Sequence, residues 1–157
     1  GSKLCESRSG NVRKSETRST FFLQQPLDAV CPEGTQLPYP MRTVNLLHEV
    51  ELILAVGKMD KIPASEALLD YIFSYAVGLD LARSDKQKEQ EKEGPGSTAK
   101  GFDRSAPCSD LHKMEEVGHL ERGIITLYVN GGILKQEDIS DMIWFIAVVI
   151  SSLSSFV

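Results

Sequence analysis

"NLLHEVELILAVGK", residues Asn45–Lys58, carries the pattern that decides the fold. Val50, Leu52, Leu54 and Val56 alternate with Glu49, Glu51, Ile53 and Ala55, which is the period of a β-strand and not of a helix. Side chains two apart on a strand share a face, so Glu49 and Glu51 stand side by side, followed by Ile53 and Ala55. Adjacent like charges repel. Either this end of the face is wetted, or a cation lies between the two carboxylates.

Working outward, "SYAVGLDL" (Ser74–Leu81) alternates in the same way. Tyr75, Val77, Leu79 and Leu81 make the bulky face, and Ala76, Gly78 and Asp80 the other. Small neighbours beside an acid are expected to leave room above the sheet for a bound group, or Asp80 simply ends a strand. Upstream, "TFFLQQPLDAVCPEG" (Thr20–Gly34) reads as a short apolar strand ended by Pro26, then a Pro-Glu-Gly turn. "IPASEALLDYIF" has helical spacing after Pro63, with Ser65 as a candidate cap. The charged run Ala82–Gly101 reads as a solvated helix face or loop around Gly94-Pro95-Gly96. "ITLYVNGGILKQ" (Ile125–Gln136) is a hairpin turning at Asn130-Gly131. Asp138, Ser140 and Asp141 are helix-start residues ahead of an apolar run.

The totals set bounds. A chain of 157 residues, 41% hydrophobic and 25% charged, holds one domain with a sizeable core. A net charge of -5 argues against a nucleic-acid surface, which carries a basic excess. Cys5, Cys31 and Cys108 are odd in number and widely spaced, which suits neither a disulfide framework nor a zinc site. The run Met142–Val157 contains four serines and is shorter than the roughly 18–20 apolar residues that span a bilayer. It reads as a buried core helix, and no membrane partner is expected. Residues 1–19 are polar and unpatterned, a flexible arm or lid remnant, and residues 20–157 form the folded domain.

Three carboxylates, Glu49, Glu51 and Asp80, with water completing the shell, suit Mg²⁺, Mn²⁺ or Ca²⁺, which are hard cations. Glu-x-Glu is common on exposed strands, so spacing alone leaves the question open. The wider context narrows it. His48-Glu49-x-Glu51, Tyr75…Gly78-x-Asp80, Ala99-Lys100-x-Phe102-Asp103, Val129-Asn130-Gly131 and Ser140-Asp141-Met142-Ile143 occur in one order along the chain. In these motifs the sequence resembles the fumarylacetoacetate hydrolase family, nearest to its small acylpyruvate and fumarylpyruvate hydrolase branch, from about Phe21 to Val157.

That resemblance implies an α+β fold: a mainly β, mixed-sheet roll or sandwich with short helices, pairing as a homodimer. It implies Mg²⁺ or Mn²⁺ held by Glu49, Glu51 and Asp80, with Lys100 catalytic beside the metal and Gln87 on the substrate side. Arg83 takes a substrate-binding role by standing one residue before the position, here Ser84, where the family carries an arginine. The implied reaction is hydrolysis of a carbon–carbon bond in an acylpyruvate, a 2-keto acid, to pyruvate and a carboxylic acid. The metal stabilises the enolate that forms as the bond breaks. Decarboxylation or tautomerisation of oxaloacetate uses the same chemistry. The implied location is cytoplasmic or mitochondrial.

Departures from the family pattern support the other reading, a degenerate paralogue that keeps fold and metal but not turnover. The first His of a His-His-Glu run is Leu47, and a family Gly-x-Pro-Trp is Gly94-Pro95-Gly96-Ser97. An early lysine is Gln25, and Asn11 and Lys14 occupy the place of the lid's general-base pair. His112 and His119 match no catalytic position and read as surface residues. The family continues past the point matching Val157 with a further strand and a substrate-facing loop, so this sequence is expected to be part of a longer sheet.

Overall fold

The computed structural model describes residues 23–58, 66–90, 99–142 and 146–154. The arm 1–19 with Asn11 and Lys14, the helix-start residues Pro63 and Ser65, and the Gly94-Pro95-Gly96 loop lie outside them.

The opening stretch is a strand, β2 (Leu46–Val56), as its alternation requires. It lies at the end of a mixed sheet ordered β1-β4-β3-β2, where β1 is Val30–Pro32, β3 Ile72–Arg83 and β4 Ala106–Cys108. β1 and β4 run parallel, with Val30 opposite Ala106 and Pro32 opposite Cys108. β3 runs antiparallel to β4, with Gly78 opposite Cys108. A two-residue strand, β5 (His112–Lys113), also pairs with β3.

Two compact units make up the described chain. The first combines Leu23–Ile53 with Tyr75–Leu111, and the second Leu54–Ser74 with His112–Val157. The first buries Ala29, Cys31, Tyr75, Leu81 and Ala82. Its β3 segment buries Tyr75 and Leu81 on one face, with Val77 between them exposed, and Ala76 and Gly78 on the other. The small side chains of β3 therefore leave no open room at Gly78. A Cβ there would collide with Ile53 Cδ1 and stand 2.8 Å from the Pro107 carbonyl oxygen. Glycine is what lets β2 and β4 approach β3 so closely.

The second unit contains the hairpin β6 (Ile124–Val129) and β7 (Gly132–Asp138). Asn130 and Gly131 sit at φ 51° and 81°, the two left-handed positions that a type I′ turn demands and these residues tolerate. Asp138 does cap a turn, but a 3-10 turn, Ile139–Asp141, with its carboxylate accepting from the Ser140 amide at 2.8 Å. The Gly123 amide donates to the same carboxylate at 3.3 Å. The α-helix begins later: α3 spans Ile146–Ser154, after α1 (Ser84–Gln90) and the single-turn α2 (Met114–Val117). α3 buries Ile146 and Ile150, one turn apart, and packs on a 3-10 helix, Glu66–Tyr71. Among the described residues no helix is long and apolar enough to cross a membrane.

Two expectations shift. The strand expected before Pro26 lies largely outside the described residues, and a strand appears after it: Leu27–Ala29 is a 3-10 turn that leads into β1. The proline cannot donate in a ladder, and its fixed φ opens the turn. The helix expected in Ile62–Phe73 is a 3-10 helix that stops at Tyr71, because the β-branched and aromatic pair Ile72-Phe73 begins β3.

Candidate metal centre

Neighbouring strands bring the acids together. Glu49 and Glu51 on β2 face the same way as Ile53, and Ile53 lies against Gly78, two residues from Asp80 on β3. Carboxylate oxygens of Glu49, Glu51 and Asp80 all lie within 4.8 Å of one another. Three hard oxygen donors at that spacing, on two strands of one sheet, fit a divalent cation of the Mg²⁺ or Mn²⁺ type.

Lys100 joins them from the loop before β4. Its Nζ donates to Glu49 Oε2 and to Asp80 Oδ2, and the side chain is only 3% exposed. A lysine this buried is kept charged by its partners. Burial alone pulls the ammonium's pKa down, but the hydrogen bonds and charges of Asp80 and Glu49 push harder and hold it above the ordinary lysine value. Lys100 is therefore part of the cluster and not a surface loop lysine. Among the described residues the set gathers three carboxylates around one ammonium, an acidic excess that suits a cation.

The loop that presents Lys100 is tied down. Phe102 N donates to the Lys100 carbonyl at 3.0 Å, and the fully buried Ser105 donates to the same carbonyl through Oγ at 2.6 Å. The Ser105 carbonyl in turn accepts from the Leu81 amide at 2.9 Å, next to Asp80 on β3. A further donor comes from far upstream: Gln25 Nε2 to Asp80 Oδ1, 2.7 Å. Ser105 does not stand out in the sequence, and Gln25 does so only as a departure from a family lysine. A serine and a glutamine in loops carry no periodic signal, and only the folded contact shows what they hold.

Arg83, at the end of β3, lays its guanidinium 4.6 Å from the centre of the Phe102 ring. Its buried Nε has no hydrogen-bond partner among the described residues. Ser84, at the family's arginine position, is buried instead and bonds to the Asn45 carbonyl through both N and Oγ. Gln87 is half-buried on α1. His112 and His119 are exposed.

Comparison with known proteins gives this geometry a context. Residues 3–157 match the family model described as fumarylacetoacetate (FAA) hydrolase C-terminal. The chain is 33% identical over 146 residues to a fumarylpyruvate hydrolase of a Ralstonia species, covering 92% of this chain and 75% of the relative. It is 34% identical over 147 residues to the human mitochondrial oxaloacetate tautomerase FAHD1, covering 93% of this chain and 66% of that one. Among solved structures, the fumarylpyruvate hydrolase from Pseudomonas aeruginosa in complex with Mn²⁺ and pyruvate superposes with a TM-score of 0.83 at 39% identity. That match covers 90% of this chain and 63% of the other, so this chain spans under two thirds of the solved relative. The α+β mixed-sheet architecture with few short helices is that of these neighbours.

Proposed function

The chain belongs to the fumarylacetoacetate hydrolase family, and from that premise we propose that it is a metal-dependent hydrolase cleaving a carbon–carbon bond in an acylpyruvate of the fumarylpyruvate type. The observation that carries the reading is the bonded set of Lys100, Glu49 and Asp80 with Glu51 beside it, three carboxylates close enough to share one divalent cation. Glu49, Glu51 and Asp80 would hold Mg²⁺ or Mn²⁺, which when bound supplies Lewis-acid stabilisation of the negative charge that develops on the keto acid. The Mn²⁺ of the Pseudomonas relative supports manganese as the first ion to try.

The chain's own side chains have separate tasks. Lys100, fixed as an ammonium by its acids and by the Ser105 tie, is a donor for a substrate carboxylate or a developing oxyanion. Arg83, with a buried Nε to spare and its guanidinium lying over Phe102, is a carboxylate anchor, and Gln87 lies four residues further on as a substrate-side amide. In the reaction, water's oxygen adds to the distal carbonyl carbon, and the carbon–carbon bond breaks. The electron pair stays with the pyruvate fragment, which then takes up a proton. Residues 20–157 act as one catalytic domain, which a single family model spanning 3–157 supports. The functional unit is a homodimer; of a mitochondrial or a cytoplasmic home, the name of the human relative supports the mitochondrial one.

A second reading has its own support. Several mammalian relatives, the human one at 34% identity, are oxaloacetate tautomerases, and the same carboxylate set serves enol–keto exchange. One experiment separates the two. The purified chain with Mn²⁺ or Mg²⁺ is given fumarylpyruvate or acetylpyruvate and pyruvate is measured, beside a Glu49→Gln/Glu51→Gln variant. Enol-oxaloacetate is followed in parallel by its ultraviolet absorbance. Metal-dependent pyruvate release that disappears in the variant is the expected result. Enol decay without pyruvate release gives the tautomerase. Neither activity, from folded metal-bound protein, leaves the non-catalytic paralogue.

A further inference from the structure

Four hydrogen bonds join the residues that enter β2 to the residues that open α1. Asp85 accepts at both oxygens from consecutive residues: Oδ1 from the Thr43 hydroxyl, and Oδ2 from the Val44 amide at 3.3 Å. The Asn45 carbonyl accepts from the Ser84 amide at 3.0 Å and from the Ser84 hydroxyl at 3.3 Å. Resting on the reading of Gln87 as a substrate-side amide, we propose that Asp85 is a positioning residue: its carboxylate fixes the direction in which α1 leaves the sheet, and with it the place of Gln87.

The two pairs of bonds have different effects. Asn45 stands four residues before Glu49 and Ser84 four after Asp80, so their pair closes the ends of the two strands that carry the acids. That pair uses no atom of Asp85. A helix held there alone still swings. Asp85 supplies a second tie one residue further along, and with both oxygens engaged its carboxylate no longer turns about its broad terminal torsion. The turn that brings the donors is itself held. Thr43 Oγ1 accepts from the Asn45 amide at 3.2 Å, and Arg42 sits at φ 63°, a left-handed conformation that persists only where surrounding contacts hold it. The Thr43 hydroxyl first, and the Val44 amide after it, hold the Asp85 carboxyl below the ordinary aspartate value, so the acceptor is charged at neutral pH and the bonds to it are of the stronger kind. Gln87 follows two residues later, about 200° round the helix and about 3 Å along it. A swing of α1 therefore carries that amide away while the strands, and the acids on them, stay in place.

The test measures kcat and KM of the full chain with Mn²⁺ and whichever substrate, acetylpyruvate or enol-oxaloacetate, the unaltered chain turns over. Folding is checked by circular dichroism, and Mn²⁺ affinity by the electron paramagnetic resonance signal of the free ion. Asp85→Ala removes both acceptors. Thr43→Val removes one donor and keeps the shape, and Thr43→Ser keeps the donor. Displacing a positioned group by about 1 Å costs up to about 100-fold, so a loss in kcat/KM of about 10–100-fold is expected for Asp85→Ala. It is expected in KM, with Mn²⁺ affinity unchanged, because a substrate-binding amide moves and the metal ligands do not. Thr43→Val is expected to raise KM less, and Thr43→Ser to restore it. In a Gln87→Ala background Asp85→Ala is expected to add nothing further, because the group it positions is gone. An unaltered KM in folded Asp85→Ala or Thr43→Val overturns the proposal. So does a fall in Mn²⁺ affinity that matches the loss in kcat/KM, or losses that add fully in the double variant. Thr43→Val is decisive by itself should Asp85→Ala not fold. Gln87→Ala without effect removes the reading of Gln87, and Asp85's role with it. No turnover of either substrate by the unaltered metal-bound chain removes the catalytic reading itself, which is a different result from equal KM values in active variants.

Discussion

Ser105 Oγ donates to the carbonyl oxygen of Lys100 at 2.6 Å, from a side chain with no exposed surface. The hydroxyl is a brace between the loop that presents the ammonium and the sheet that presents the acids. Ser105→Ala removes the donor without adding bulk. The Lys100 carbonyl keeps the Phe102 amide, so the loss is that of one intramolecular hydrogen bond, about 0.5–1.5 kcal/mol. The expected outcome is a lower urea midpoint with an unchanged slope, and a larger loss in kcat than in KM, since the ammonium is displaced and not removed.

Replacing Lys100 by methionine exposes what that ammonium does for its neighbours. Glu49 and Asp80 then face each other beside Glu51 with no cation between them. Breaking a buried pair from one side costs about 3–5 kcal/mol, and these carboxylates, being partly exposed, are expected at or below the low end. Melting in EDTA reads that loss. Excess Mn²⁺ is expected to raise the melting temperature of the variant more than that of the unaltered chain, because the ion enters a more negative site.

Gly78→Ala tests the close approach of the strands. The new methyl meets Ile53 Cδ1 and the Pro107 carbonyl oxygen. Overpacking of this kind costs about 1–3 kcal/mol. Ile53→Val in the same chain relieves one of the two contacts, so the double variant is expected to be less unstable than the sum of the single ones. Additive losses in denaturant melts would show that the backbone contact alone matters.

Asp138 supplies the pH prediction. Hydrogen bonds from Ser140, backbone first, then from the Gly123 amide, hold its carboxyl below the ordinary aspartate value. A depressed carboxylate contributes above its unfolded pKa and stops contributing as pH falls through its folded one. The amide resonances of Ser140 and Gly123 are therefore expected to titrate together in acid, with a midpoint below about 3.9. A midpoint at or above that value, or separate midpoints for the two amides, contradicts the cap.

Strands with strict alternation are legible from the residues alone. β2 lies where its Val/Leu and Glu/Ile faces alternate, and the hairpin turns at Asn130-Gly131. β1 is harder to place because Pro26 reads equally well as a strand end or a turn start, and only pairing with Ala106–Cys108 decides. Lys100 lies in the charged run Ala82–Gly101 and is picked out by the family resemblance alone, whereas Glu49, Glu51 and Asp80 are conspicuous as charged residues on alternating strands. Gln25 and Ser105 are not, since an uncharged polar residue in a loop gains its meaning from its folded partner.

For Gln25 that partner is distant in sequence, and the distance has a kinetic side. Gln25 and Asp80 are 55 residues apart, and Lys100 and Glu49 are 51 apart. Contacts of such separation form late, after long loops have closed. Until Lys100 arrives, pairing β2 with β3 brings Glu49 and Asp80 together without the ammonium that joins them, so electrostatics resists the step that assembles the centre. A divalent ion present during refolding removes that resistance, and the chain is expected to refold faster with it than without.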